Sequence, residues 1–411
     1  MSRRRMRTGS LIVLAVAAVA SNAIVNQAQA VEVRSEGTLT AAASVAAAGP
    51  IGWATQSGGT TGGAGATAAH TYTVKNRKQL IAAIAGTDSA GKTDKTAPKI
   101  INWVGTIDMT EGKKYTSQAD QKARAEIKLQ PNTTIVGVGS NAYLPNGWLM
   151  VRGVDNIIIR NLKLTTPCDV APKWDPDDDA GNYNSEFDGL TIDASTHVWV
   201  DHLHITDAPL TDDMLPLGNK DSKGVVKHIQ CHDGSLDIKN ASDFVTVSYT
   251  VFSQHLKNNL VGSSDKTTSD IGHQTITFAY NMYDNIGQRS PRVRFGKVHV
   301  VGNYFVGNKK DPVYPHSYSI GTGLKAQIIS ENNVFNIAGA SAGRCTDVVT
   351  NPSKPSGNFK DSGSTVNGSA LSGCSAPTAV NWSLPSGYSY PKIASANVKA
   401  YVLANAGPGK I

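Results

Sequence analysis

Short apolar strands that recur along the chain, with many glycines and few charges, predict an all-β fold wound as a parallel β-helix. The clearest echo begins with Ile157–Leu164 and returns at Val198–Ile205, Val245–Phe252, Ile276–Tyr283, Val298–Phe305 and Ile328–Phe335. The closing apolar residues of these segments are separated by 41, 47, 31, 22 and 30 residues. A period in the twenties with longer insertions describes a coil whose turns stack, with long loops bulging on one side. Asn281, Asn303 and Asn333 fall at equivalent places in three echoes, as an internal asparagine ladder would require. The 39 glycines and 17% charged residues fit turn-rich extended structure better than helix. An antiparallel sandwich would need tight two-residue hairpin turns, and these are scarce.

The first 30 residues have the parts of a secretory leader. Arg3, Arg4, Arg5 and Arg7 precede an apolar core, Leu11–Ala20, and Ala28-Gln29-Ala30 offers a small-residue cleavage site. The core is too short to span a bilayer. Removing this leader, which holds four arginines and no acid, takes the formal net charge from +7 to +3. That balance is too modest for a nucleic-acid partner. The mature chain is expected to be extracellular and monomeric, with no membrane partner. Residues 31–48 are Ala/Ser/Thr-rich and expected to be poorly ordered, which leaves 49–411 as one β-helix domain.

Within that domain, Gly58–Gly65 is glycine-rich but lacks the Gly-Lys-Ser/Thr ending of a phosphate loop. It reads as a segment packed tightly by its backbone. Lys78–Ala85 has helical periodicity and is expected to cap one end of the coil. Lys99–Val104 and Thr133–Val138 read as strands. The largest insertions, Thr165–Asn184 and Asp207–Lys227, are acidic, through Asp175-Pro176-Asp177-Asp178-Asp179 and Asp212-Asp213. They read as solvated loops, with an accessory cation contact as the alternative. The Ser/Pro/Gly-rich tail from Ser341 is expected to fold back along the coil. Cys168, Cys231, Cys345 and Cys374 make an even count, which suits two disulfides in an oxidising compartment. Three connectivities are open. The pairing Cys345–Cys374 with Cys168–Cys231 is favoured because it closes one local loop and brackets the acidic region.

Chemistry concentrates between Ser185 and Gly296. Side chains two and four apart share a strand face. Glu186 and Asp188 would therefore share one if extended, as would Asp233 and Asp237, and Arg292 and Arg294. Acids beside cations on strand faces suit a metal ion together with an anionic substrate.

Four pieces of this region carry a resemblance: Val198-Trp199-Val200-Asp201-His202, Asp237-Ile238-Lys239, His255-Leu256-Lys257 and Arg289-Ser290-Pro291-Arg292-Val293-Arg294-Phe295-Gly296. In this order and spacing they resemble the pectate lyase family of polysaccharide lyases, over roughly Gly49 to the C-terminus. The resemblance implies a right-handed, single-stranded, pectin-lyase-like β-helix. It also implies Ca²⁺ held by Glu186, Asp188, Asp233 and Asp237. The substrate would be polygalacturonate, cleaved by β-elimination with Arg289 as base, while Lys257, Arg292 and Arg294 bind substrate carboxylates. Arginine is an awkward base, because its guanidinium stays protonated at ordinary pH. Pectin lyases for methyl-esterified substrate lack the acidic cluster, which is present here. A hydrolase would use paired acids without the arginines, and a non-catalytic pectin-binding β-helix could dispense with Arg289.

Overall fold

The computed structural model describes residues 49–411, residue 179 excepted. The leader 1–30 and the segment 31–48 lie outside the described residues. Three long sheets, of ten, eight and nine strands, run side by side through the domain, and strands of successive coils pair in parallel. One coil shows the plan. Trp148–Arg152 belongs to the eight-stranded sheet, Asp155–Arg160 to the ten-stranded sheet and Lys163–Thr165 to the nine-stranded sheet. The next coil repeats it with Leu190–Asp193, Thr196–Asp201 and His204–Thr206. This is a parallel β-helix. Each strand's backbone donors and acceptors are met by the coils before and after it.

Register bears out the sequence period. Leu164 pairs with Ile205, Ile205 with Phe252, and the column continues through Tyr283, Phe305 and Phe335. Its aromatic rings stack inside the coil at centroid distances of 5.2, 4.7 and 4.5 Å. Between the ten- and nine-stranded sheets the chain turns in two residues. In the seven coils from Asp155–Arg160 onward, the first of the two takes a left-handed φ, at Asn161, His202, Tyr249, Tyr280, Gly302, Asn332 and Gly363. The second carries the asparagine ladder. Asn281 N–H and Nδ2 donate to Asn303 Oδ1 at 2.9 and 3.0 Å, and those of Asn303 donate to Asn333 Oδ1, both at 3.0 Å. The ladder thus satisfies backbone groups that a turn this tight leaves without a strand partner.

Helix Arg77–Ile84 begins one residue before its expected start. Asn76 caps it by accepting from Gln79 N–H, and Leu80, Ala83 and Ile84 are buried. The glycine-rich segment is packed as expected: a Cβ on Gly63 would lie 2.1 Å from the Lys99 carbonyl oxygen. The tail does fold back, and it contains a helix, Ser395–Asn405, that the sequence reading did not include. Val398 and Val402 bury themselves against Tyr249, Tyr280 and Tyr304. Both favoured disulfides form, Cys168–Cys231 and Cys345–Cys374. Among the described residues no helix is long and apolar enough to cross a membrane.

Long connections gather where the nine-stranded sheet hands the chain to the eight-stranded sheet, at 166–189, 207–235 and 309–319. The two acidic insertions each form a short antiparallel hairpin, Lys173–Asp175 with Asn182–Asn184 and Leu217–Lys220 with Val226–His228. The same corner carries the residues expected to do chemistry.

Candidate active site

The acids arrive on two neighbouring coils. Asp188 lies in the irregular stretch leading into Leu190–Asp193, and Asp233 in the one leading into Leu236–Lys239, whose second residue is Asp237. Thr191 pairs with Asp237 across the two strands. Asp188 Oδ2 accepts from Thr191 Oγ1 at 2.8 Å and from Lys239 Nζ at 3.2 Å, and its Oδ1 accepts from Gly234 N–H at 3.1 Å. Asp237 Oδ1 accepts from Leu260 N–H at 3.1 Å.

Glu186 departs from the strand-face expectation. Ser185–Gly189 is not a strand, so even spacing does not align its side chains. Asp188 is 4% exposed, whereas the Glu186 side chain is 52% exposed and pairs with Lys122 Nζ at 3.3 Å. Asp233 likewise precedes its strand rather than lying on it.

The acids are under-neutralised. Burial, then the negative charge of Asp188, pushes the Asp233 carboxyl up to about 6, against the pull of Lys257, Lys239 and Arg289. Burial and Asp188 likewise push Asp237 well above the usual carboxylate range, with Lys239 opposing. Lys239 is shifted upward: burial works against its charge, but Asp188 and Asp237 outweigh it. A set of buried carboxylate oxygens in mutual repulsion fits a hard divalent cation, which prefers such ligands. Among the described residues no three Asp, Glu, His or Cys side chains close tightly enough to form a metal shell by themselves. Such an ion would keep positions for water or a substrate oxygen.

The cations come from the following coils. Lys257 ends the strand Val251–Lys257 and pairs with Gln288, the residue before Arg289. Its Nζ lies 3.8 Å from Asp178 Oδ2. Arg289 sits at the corner with φ +65°, a conformation uncommon for a side chain of this size. The Nε atoms of both Arg289 and Arg292 are buried without a hydrogen-bond partner. Arg292 pairs with Leu260, one coil beyond Asp237. Burial, then the charge of Arg294, holds Arg292 below the usual guanidinium range. Arg294 is committed within the protein: its Nε donates to Asp265 Oδ1 at 2.6 Å and its Nη1 to the Gly262 carbonyl at 2.8 Å.

Four residues of this site had no role in the sequence reading. Lys239 could have been found, because it lies two after Asp237 on the same strand. Gly234, Asp265 and Tyr318 could not, since their contacts cross coils. A Cβ on Gly234 would lie 2.6 Å from Asp237 Oδ1 and 2.8 Å from Asp188 Oδ1. Tyr318 is buried among Arg292, Arg289 and Arg294.

A family model described as pectate lyase matches residues 12–411. Pectate lyase E of Dickeya dadantii (strain 3937) is 43% identical over 366 residues, covering 88% of this chain and 86% of its own length. A solved structure described as "Pectate lyase bound to hexasaccharide" is 36% identical with a TM-score of 0.78, covering 88% of this chain and 97% of its own. Another, described as giving "Structural insights into substrate specificity and the anti beta-elimination mechanism of pectate lyase", is 35% identical at the same TM-score of 0.78 and the same coverage. With the same coil and a family match that spans nearly all of its length, the chain belongs to the pectate lyase family of polysaccharide lyases.

Proposed function

We propose that this polysaccharide lyase cleaves (1→4)-α-D-galacturonan by calcium-dependent β-elimination, leaving 4,5-unsaturated oligogalacturonides. Asp188, Asp233 and Asp237 would hold the ion, with Glu186 available from the rim. Bound there, calcium would neutralise a uronate carboxylate and so acidify the C5 proton beside it. Arg289, acting as the neutral guanidine, takes that proton, the electron pair it leaves forms the C4–C5 double bond as the C4–oxygen bond breaks, and the departing oxygen takes up a proton from water. Lys257, Arg292 and Arg294 hold substrate carboxylates, to which a guanidinium fork is well matched.

The observation that carries this reading is the meeting of opposites at one corner: Asp233 feels Lys257, Lys239 and Arg289 together. Buried acids short of positive charge face cations with unpartnered nitrogens. A polyanion with its own divalent counter-ion answers both needs. The acidic cluster favours demethylated substrate, because the calcium it would hold needs a free carboxylate to bridge and a methyl ester brings none.

The test is ultraviolet absorbance of unsaturated product on polygalacturonate. Chelation should abolish the signal and added calcium should restore it. Full activity after exhaustive chelation overturns the reading, and reducing sugar without unsaturated product would mean hydrolysis. Export is part of the proposal, with the leader 1–30 removed after Ala30 and residues 49–411 working as a monomeric catalytic domain. N-terminal sequencing of protein from culture medium checks the cleavage.

A further inference from the structure

A buried polar cluster beside the site takes no part in the chemistry described above. Asp207 opens the long connection 207–235, His255 lies within the strand Val251–Lys257, and Tyr314 comes from the connection before Ile320–Thr322. Asp207 Oδ1 is 2.7 Å from His255 Nδ1, and Asp207 Oδ2 accepts from the Tyr314 hydroxyl at 3.2 Å. The Tyr314 oxygen in turn accepts from Asp212 N–H at 3.0 Å. Asp207 and His255 are each 1% exposed.

The other ring nitrogen of His255, Nε2, lies 3.2 Å from the carbonyl oxygen of Lys257. An ionised carboxylate and a main-chain carbonyl can only accept, so both ring nitrogens donate and His255 is an imidazolium. Burial alone would lower its pKa, but Asp207, Asp212 and the Lys257 carbonyl together outweigh burial and the balance is upward. Three coils are thus tied at a single carboxylate, and the tie ends on the main chain of the lysine whose ammonium acts on Asp233. Lys257 is the last residue of its strand, and the ladder beyond it is carried by the N–H groups of Asn258 and Asn259, which donate to the Gln288 and Arg289 carbonyls. The charge-assisted bond from His255 adds an anchor at the Lys257 carbonyl itself.

We propose that Asp207 and His255 are positioning residues for the lyase reaction: their buried ion pair fixes the Lys257 main chain and so aims its ammonium at the substrate carboxylate. This rests on the proposed role of Lys257, and the experiment separates the two. Steady-state kinetics on polygalacturonate are measured for His255→Gln, Lys257→Ala and the double variant, with thermal melts alongside. Lys257→Ala should raise KM by about tenfold, and His255→Gln should raise it nearly as much with kcat little changed, the loss expected for one charge-assisted bond. In the Lys257→Ala background, His255→Gln should change KM by less than about twofold, because coupled residues are not additive. Equal losses in both backgrounds would make His255 merely structural and overturn the proposal alone. An unchanged KM in Lys257→Ala would overturn the role of Lys257, and the positioning role with it. If His255→Gln does not fold, Tyr314→Phe removes one donor to Asp207 and keeps the ring. It should raise KM by about two- to threefold only while Lys257 is present, and no rise would overturn the proposal.

Discussion

Asp188 and Asp237, from neighbouring coils, each bring one carboxylate oxygen to the same side of Gly234, to 2.8 and 2.6 Å from where its Cβ would stand. Only a residue without a side chain leaves that space. Gly234→Ala should therefore spread the two carboxylates rather than unfold the coil, since the atoms that must move are side-chain ends. The calcium concentration for half-maximal activity should rise by about tenfold or more, the usual loss when groups supporting metal ligands are disturbed. Excess calcium should recover much of the rate. A calcium titration of activity beside a thermal melt checks both halves.

Asp237→Asn tests the same cluster by charge. The Asp237 carboxyl is pushed up by burial and then by Asp188, so its ionised form is costly in the metal-free protein. The neutral amide removes that repulsion and keeps the shape. The metal-free variant should melt at or above the parent temperature. Added calcium should raise the parent's melting temperature through linkage, and should raise the variant's far less. A variant that melts early yet keeps its calcium shift would make Asp237 a structural residue.

Asn303 holds the stack together at another corner, between the ten- and nine-stranded sheets. Its Oδ1 accepts from Asn281 N–H, and its Nδ2 donates to the Phe278 carbonyl at 2.9 Å. Asn303→Ala would strand both buried backbone groups, at about 1–3 kcal/mol each. Denaturant unfolding should show a loss of about that sum. Calcium dependence of the surviving folded protein should not change.

Asp347 gives a pH signature of stability. Burial alone would push its carboxyl up, but hydrogen bonds from Lys309 Nζ, Ser341 N–H and Arg344 Nε outweigh it and hold the group at about 2. A folded pKa below the unfolded one gives stability that is present above the unfolded value, near 4 for an aspartate. That stability is lost as pH falls through about 2. Asp347→Asn should be less stable than the parent at neutral pH, with the gap closing between about pH 4 and pH 2. Melting temperatures across that range would show it.

The coil was legible because its signals are local and repeated. Ile205, Phe252 and Tyr283 recur one per coil, and the structure pairs them directly. The ladder asparagines were legible for the same reason. The acids were only partly so. Even spacing predicts a shared face where the backbone is extended, and at Glu186 it is not. Asp265 lies 29 residues from Arg294, and Asp207 lies 48 from His255. No periodicity announces such pairs, because they depend on which loops the stacking brings to one corner. The C-terminal helix was hidden by the composition of the tail around it. Its buried face, Val398 and Val402, is set by three tyrosines from separate coils.

The last prediction separates a base from a grip. Arg289 keeps an unpartnered buried Nε and sits beside the acids, with its charge acting on Asp233. Arg294 is tied through Nε to Asp265 and through Nη1 to Gly262, leaving Nη2 without a protein acceptor among the described residues. If Arg289 removes the C5 proton, Arg289→Lys keeps a charge but moves the nitrogen. The change should cut kcat by about 10²-fold or more with KM little altered, the scale of a lost general base. Arg294→Lys cannot both hold Asp265 and present a second planar donor, so it should act mainly on KM. Asp265→Ala leaves that guanidinium unaimed and should raise KM in the same direction by a smaller factor, with kcat kept. Equal effects of Arg289→Lys and Arg294→Lys on KM, with turnover intact, would reduce Arg289 to another carboxylate clamp and leave the base to be sought elsewhere at this corner.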